Sequence, residues 1–178
     1  MSALRFIKKV IVDDSSGVSK VEVPNIFSAD YSLYKITFSN THSGGAATGM
    51  NIRYLDSSGG VLSDSNYDFA RQANFSYTSS SESDAENETK LQQHGPIFYT
   101  TEQQGGGSVM YVSDPFNASN YTFSWSENTY RDSSNYANYK ANGVYTVNRI
   151  VTGMELHLGN SSATFKKLNI NVYGIRVD

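Results

Sequence analysis

Cysteine is absent from this chain of 178 residues, and proline occurs only three times. The first absence excludes a disulfide framework and thiolate chemistry, and it suits folding in a reducing cytoplasm. Charge is also scarce. Asp, Glu, Lys and Arg make up 17% of the residues, against about 25% in an average protein. Ser, Thr, Asn and Gly take their place, a texture common on extracellular and particle-surface β proteins. The net charge is −3 and no basic patch is visible, so nucleic acid is not an expected partner. No apolar run approaches the ~20 residues of a membrane-spanning helix, so no membrane partner is expected either. Lys8 and Lys9 interrupt the apolar N-terminal run, whereas a secretory signal places its basic residues first. For a surface protein this order predicts synthesis in a host cytoplasm and release by lysis.

What the chain has in quantity is tyrosine, thirteen of them, on short alternating segments. Tyr34, Ile36 and Phe38 share one face; Met50, Ile52 and Tyr54 repeat the pattern. Tyr67 with Phe69, and Met154 with Leu156 and Leu158, do the same, as do Leu168, Ile170 and Val172. Period-two alternation is the signature of half-buried strands. Tyr121, Phe123 and Trp125 also share a face, which places Tyr121 and Trp125 in the core. The Asp56–Gly60 segment reads as a hairpin turn, because glycine accepts the positive φ such turns need. Asp114-Pro115-Phe116-Asn117 is a second turn, with proline presetting φ. Gly174 inside the last strand predicts a bulge. Ser81–His94 is open between a short helix, with Glu86 and Lys90 at i,i+4, and a loop or edge strand. Eight to ten such strands with turns at 8–12-residue spacing predict an all-β, antiparallel β-sandwich of jelly-roll type, forming a single domain over residues 1–178.

Motifs that would fix a reaction are missing. His42, His94 and His157 have no second ligand at metal spacing, and no Gly-x-Ser-x-Gly occurs. Gly105-Gly106-Gly107 lacks the Lys-Ser/Thr that a phosphate cradle needs. Asp64-x-Asn66-x-Asp68 has oxygen ligands at calcium-loop spacing, but Phe69 and Phe75 stand where that loop needs Gly and Glu; a polar strand face is the expectation. No enzyme activity, cofactor or metal is therefore expected. The best lead is the aromatic segment after Trp125. There Tyr130, Arg131, Asn135, Tyr136, Asn138 and Tyr139 are candidates for a protein interface or a glycan contact, because aromatic faces stack on sugar CH groups and Tyr and Arg are enriched at interfaces. Tyr130, Tyr136 and Tyr139 are expected to be exposed.

Several phrases carry a family resemblance: Phe27-Ser-Ala-Asp-Tyr31-x-x-Tyr34-Lys-Ile36, Asn51-Ile-Arg53-Tyr54-Leu-Asp-Ser-Ser-Gly59, Ser65-Asn66-Tyr67-Asp68-Phe69-Ala70 and the ending Val172-Tyr-Gly174-Ile-Arg176-Val-Asp178. The chain resembles small β-rich virion structural proteins of tailed marine bacteriophages, cyanophages above all. That resemblance implies a non-enzymatic phage virion surface protein with other capsid or tail proteins as partners, and it brings no catalytic residue. Without a shaft, heptads or a collagen-like repeat, capsid decoration is favoured over a fibre. The alternative is a tail-fibre or tail-tip adhesin that binds host surface glycan. A homotrimer is an expectation from class for either place.

Overall fold

The computed structural model describes residues 3–76, 80–102, 104–132 and 135–176. Twelve strands run in chain order: β1 (Ala3–Val18), β2 (Lys20–Val23), β3 (Leu33–Gly44), β4 (Thr48–Asp56), β5 (Tyr67–Phe75), β6 (Ser81–Glu88), β7 (Ile97–Phe98), β8 (Gly107–Ser113), β9 (Thr122–Asp132), β10 (Asn135–Tyr145), β11 (Val151–Leu158) and β12 (Thr164–Arg176). No helix occurs among the described residues. Ser81–Glu88 is an edge strand, which resolves the ambiguity of that segment. Its charged and small residues carry no apolar stripe that a helix could bury.

The strands form two antiparallel sheets, one ordered β1-β12-β3-β8-β9-β10-β5-β6 and the other β2-β11-β4-β7. Their connectivity is nested. β1 pairs with β12, β2 with β11, β3 with β8 and β4 with β7, as in a long hairpin rolled onto itself. That is a jelly roll, with two four-stranded layers facing each other. The other four strands enter as two insertions. β5 and β6 lie between β4 and β7; β9 and β10 lie between β8 and β11. Together they widen one layer from four strands to eight.

The alternation found in the sequence supplies the core. Tyr34, Ile36 and Phe38, Met110 and Val112, and Leu168, Ile170 and Val172 point inward from the long sheet, against Met50, Ile52, Met154 and Leu156 of the short one. Phe98 meets Phe165 edge-on at 5.1 Å between ring centroids. Each fully buried side chain of this size contributes ~1.5–3 kcal/mol relative to exposure. Two buried tyrosines, Tyr67 and Tyr34, have their hydroxyls bonded to backbone. The Tyr67 hydroxyl accepts from the Tyr54 amide (2.9 Å) and donates to the Leu62 carbonyl (2.9 Å). Tyr34 does the same at Ser28, accepting from its amide at 2.7 Å and donating to its carbonyl at 2.8 Å.

Turn chemistry follows expectation at Asp56–Gly60. The Asp56 carboxylate accepts from the amides of Ser58 and Gly60, and Gly59 sits at φ 82°. These bonds, that of the Ser58 hydroxyl foremost, lower the Asp56 pKa. Gly174 departs from expectation. It pairs in register with Arg5 and Tyr34, and the nearby irregularity lies in β1, between Phe6 and Lys8. A Cβ on Gly174 would stand 2.5 Å from the Tyr31 ring, so glycine is needed there for close packing, not for a bulge.

Replacing Tyr67 by Phe should keep the ring stack and remove only the hydroxyl that joins the Tyr54 amide to the Leu62 carbonyl. A loss of about 2 kcal/mol is expected in urea unfolding, because two buried backbone groups lose their partner at once.

Candidate functional site

The inserted strands carry an inverted pattern. Along β9, Thr122, Ser124, Ser126 and Asn128 are buried, while Phe123, Trp125 and Glu127 face solvent. Trp125 is 41% exposed and Phe123 51%. Tyr121, just before the strand, is exposed as well. The expectation that Trp125 and Tyr121 belong to the core is therefore overturned. The reason is spatial. Tyr54 of β4 meets Tyr67 of β5 and Tyr145 of β10, and beside them Leu91 and His94, from the segment before β7, come up closely behind β10. A Cβ on Gly143 would lie 2.5 Å from Leu91 and 3.2 Å from the His94 ring. Ala137, Ala141 and Ala73 are further small inward residues here, beside the larger Phe69, Tyr67 and Tyr145. The inward residues that flank Trp125 on β9 and their partners on β10 are thus Ser124, Ser126, Gly143 and Ala141, all small.

Register locks the orientation. Trp125 pairs with Tyr111 of β8 and Asn142 of β10. One step away, Met110 and Val112 are anchored in the core, and a one-residue slip would turn every side chain over. Behind the strand, His94 is fully buried, its Nε2 2.9 Å from the Ser124 hydroxyl. Burial pushes the His94 pKa down to about 3. His157, half-buried near Glu155 on the short sheet, is held at about 4 by burial first and then by Arg53 and Lys90.

In front of the strand lies a groove of about 500 Å³ on the outer face of the long sheet. Phe123 and Trp125 form one wall, Asn142 and Val144 the floor, and Asp68, Asp84 and Glu86 the opposite side. The Trp125 indole is stacked on the Tyr111 ring at 5.1 Å and 14°. A second hollow of about 280 Å³ adjoins Trp125 on its other side, lined by Tyr111, Glu127, Lys140 and Asn142. A third, of about 470 Å³, continues past Asn142 to Glu82 and Asp84. The three share Asn142. One hydrogen-bonded row crosses the whole sheet through this place: Phe6, Tyr173, Lys35, Tyr111, Trp125, Asn142, Ala70, Asp84.

The residues singled out in the sequence lie elsewhere, towards the far end of the β9–β10 hairpin, from about 10 Å (Tyr139) to about 24 Å (Asn135) along β9 from Trp125 at strand rise. Tyr130 and Tyr139 are not exposed as expected. They are half-buried on the inner face, with Tyr130 stacked on Tyr99 at 5.7 Å and Tyr139 edge-on to Phe75 at 6.2 Å. Tyr136 is 63% exposed, with the Arg131 guanidinium over its ring at 5.5 Å. The Asn138 amide donates to Glu127 at 3.3 Å. The backbone of Asn135 pairs with Asp132, and its side chain lies outside the described residues. Asp64, Asn66 and Asp68 do not converge. Asp64 accepts from the Tyr145 hydroxyl (3.0 Å) and Asp68 from the Asn87 amide (2.8 Å). Among the described residues no group of three or more His, Asp or Glu is arranged to hold a metal.

No family model matches the chain, and no curated protein does. Among solved structures, a CBM35 from Cellvibrio japonicus Abf62 is 11% identical over 94% of this chain and 97% of its own, with a TM-score of 0.14. A structure of infectious bursal disease virus Gx strain is 10% identical over 98% of this chain and 41% of its own, with a TM-score of 0.17. Likenesses this slight carry no argument about function.

The buried histidines set an acid limit on stability. In the unfolded chain a histidine takes a proton near pH 6.5; in the folded chain His94 and His157 refuse it until about 3 and about 4. The unfolded state thus binds more protons below pH 6.5, and stability, complete above that pH, falls as pH drops towards 4. Urea unfolding across this window should show a slope of up to ~1.4 kcal/mol per pH unit for each histidine, and His94→Gln should flatten it.

Proposed function

We propose that this chain is a non-enzymatic binding module of a phage virion surface, and that its outer sheet face holds a glycan. This favours the adhesin reading over simple capsid decoration. The observation that carries it is the pair Phe123 and Trp125, two aromatic rings held outward by register beside a groove of carboxylates and an amide. Sugar rings present CH faces that stack on aromatics, and hydroxyl groups that donate to Asp and Glu and bond to Asn. A pre-formed groove with an apolar wall and few polar groups is the usual form of a small-molecule or oligosaccharide site. The stack on Tyr111 fixes the indole in advance, so little side-chain freedom is lost on binding.

The placement of the site supports the same reading. The groove lies on strands β9, β10, β5 and β6, which the jelly roll does not need for closure. Such insertions are where a fold can carry function without disturbing its core. Decoration of a shell keeps one observation in its favour: Leu4, Phe6 and Ile11 are 51%, 59% and 58% exposed on the same outer face, at the β1 edge. An apolar strip of that kind suits docking to another virion protein or to further copies of the chain.

A host-cell or host-polysaccharide binding assay separates the sites. Trp125→Ala and Phe123→Ala should abolish binding while changing stability by less than about 1 kcal/mol, since both side chains are solvent-exposed. Tyr136→Ala at the hairpin end should leave binding intact. The reverse outcome would move the site to the hairpin end, and loss of particle incorporation without any glycan binding by the unaltered chain would favour decoration.

A further inference from the structure

The charge around the groove is one-sided. Asp68, Asp84 and Glu86 line the main hollow, and Glu82 and Glu127 line the two that adjoin it. Against them stands Lys140, which faces Glu127 at 4.0 Å. Arg71 borders the third hollow, but its side chain is committed elsewhere: its Nε donates to Ser83 at 2.6 Å and its guanidinium lies over Phe69 at 5.9 Å. The carboxylates differ in how far they are committed. Asp68 accepts the Asn87 amide and Glu82 the Gln72 amide. Asp84 and Glu86 form no hydrogen bond or ion pair with any described residue; both are exposed, and both sit across the groove from the Phe123 and Trp125 rings.

An acid-rich groove with uncommitted carboxylates on one side and aromatic faces on the other selects ligands by charge. A uronate, sulfated or sialylated chain would meet repulsion from five carboxylates. A neutral chain would gain ring stacking and hydrogen bonds only. A chain bearing ammonium groups would gain both ion pairing to Asp84 and Glu86 and attraction to the negative faces of Phe123 and Trp125. Sugar is favoured over a basic peptide because the aromatic wall is open and broad, while an extended peptide would add at the β6 backbone edge instead.

We propose that the groove takes a polymer of amino sugars with free amines, of the glucosamine type, with an ammonium group seated between Asp84 and Glu86 and a pyranose ring on Trp125. The three adjoining hollows accommodate consecutive units of one chain. The inference rests on the glycan reading above, and its test is built to separate the two.

Trp125 is the chain's single tryptophan, so its fluorescence reports this groove and no other place. Titrations of the full chain near about pH 6, where amines are protonated and carboxylates ionised, would use four probes: a glucosamine hexamer, its N-acetylated counterpart, a glucose hexamer and a lysine hexapeptide. The glucosamine hexamer should bind at least about tenfold more tightly than the other three. That advantage should disappear in the Asp84→Asn/Glu86→Gln double variant and shrink steeply with added salt. Equal binding of the N-acetylated or glucose hexamer, undiminished in the double variant, would overturn the amine assignment and leave the glycan reading standing. A lysine hexapeptide that matched the glucosamine hexamer would overturn it as charge attraction without sugar recognition. No response of the fluorescence or of calorimetric heat to any hexasaccharide would overturn both.

Discussion

The unequal width of the two sheets governs this molecule. Eight strands face four, and at the inserted strands β4 contributes Tyr54 while Leu91 and His94 close in behind Gly143. A sandwich core of normal depth, ~10 Å between layers, exists only where both sheets are present. There the large side chains gather: Phe38, Ile36, Met50, Phe98 and Phe165. Beyond that boundary the covering segment approaches closely, and the inward positions around Trp125 shrink to Gly143, Ala141, Ser124 and Ser126. Phe123 and Trp125 alternate with these small residues and so stand on the outer side, whereas Tyr67, Phe69 and Tyr145 of the inserted strands turn inward. The exposed groove is thus a consequence of how the layers overlap, and its rigidity comes from the same ladder that anchors Met110 and Val112.

The boundary zone itself is polar. Tyr54, Tyr67 and Tyr145 cluster there, with ring centroids 4.8–6.2 Å apart, next to His94 and Ser124. Burial raises the hydroxyl pKa values of all three tyrosines, that of Tyr145 to about 12. The Tyr67 hydroxyl is joined to the Tyr54 amide and the Leu62 carbonyl, and that of Tyr145 donates to Asp64, so these two polar groups specify one packing more strictly than methyl groups would. This zone joins the inserted strands β5 and β10 to β4 of the jelly roll.

Much of the jelly-roll half was legible in the sequence. Tyr34-Ile36-Phe38, Met50-Ile52-Tyr54 and Leu168-Ile170-Val172 alternate against polar neighbours, and each triplet is buried as the alternation implies. The inserted half was legible only in part. Tyr121-Phe123-Trp125 alternates as cleanly, but period two reports that two faces differ, not which one is inside. The deciding signal sat one strand later: Ala141 and Gly143, in register with Ser126 and Ser124, share a face with the buried Tyr145, which marks the serine face of β9 as the inner one. Ser81–Glu88 carried no pattern because an edge strand with Glu82, Asp84, Glu86 and Glu88 is selected against pairing further, not for burial. Gly174 was misread for a related reason, since a glycine needed for a turn of the backbone and one needed for the Tyr31 ring look the same in one dimension.

The long sheet's width has a geometric consequence. Adjacent strands rotate by roughly 20–25°. Over the seven steps from β1 to β6 the end strands are therefore turned by roughly 150° relative to each other. The row from Phe6 to Asp84 is a spiral ramp, not a plane. A stiff, flat object such as a crystalline fibre would touch it at one place only. For a ligand of the kind proposed above, a single supple strand of polymer could follow the ramp, and the shape of the sheet would then sort such ligands by bending stiffness.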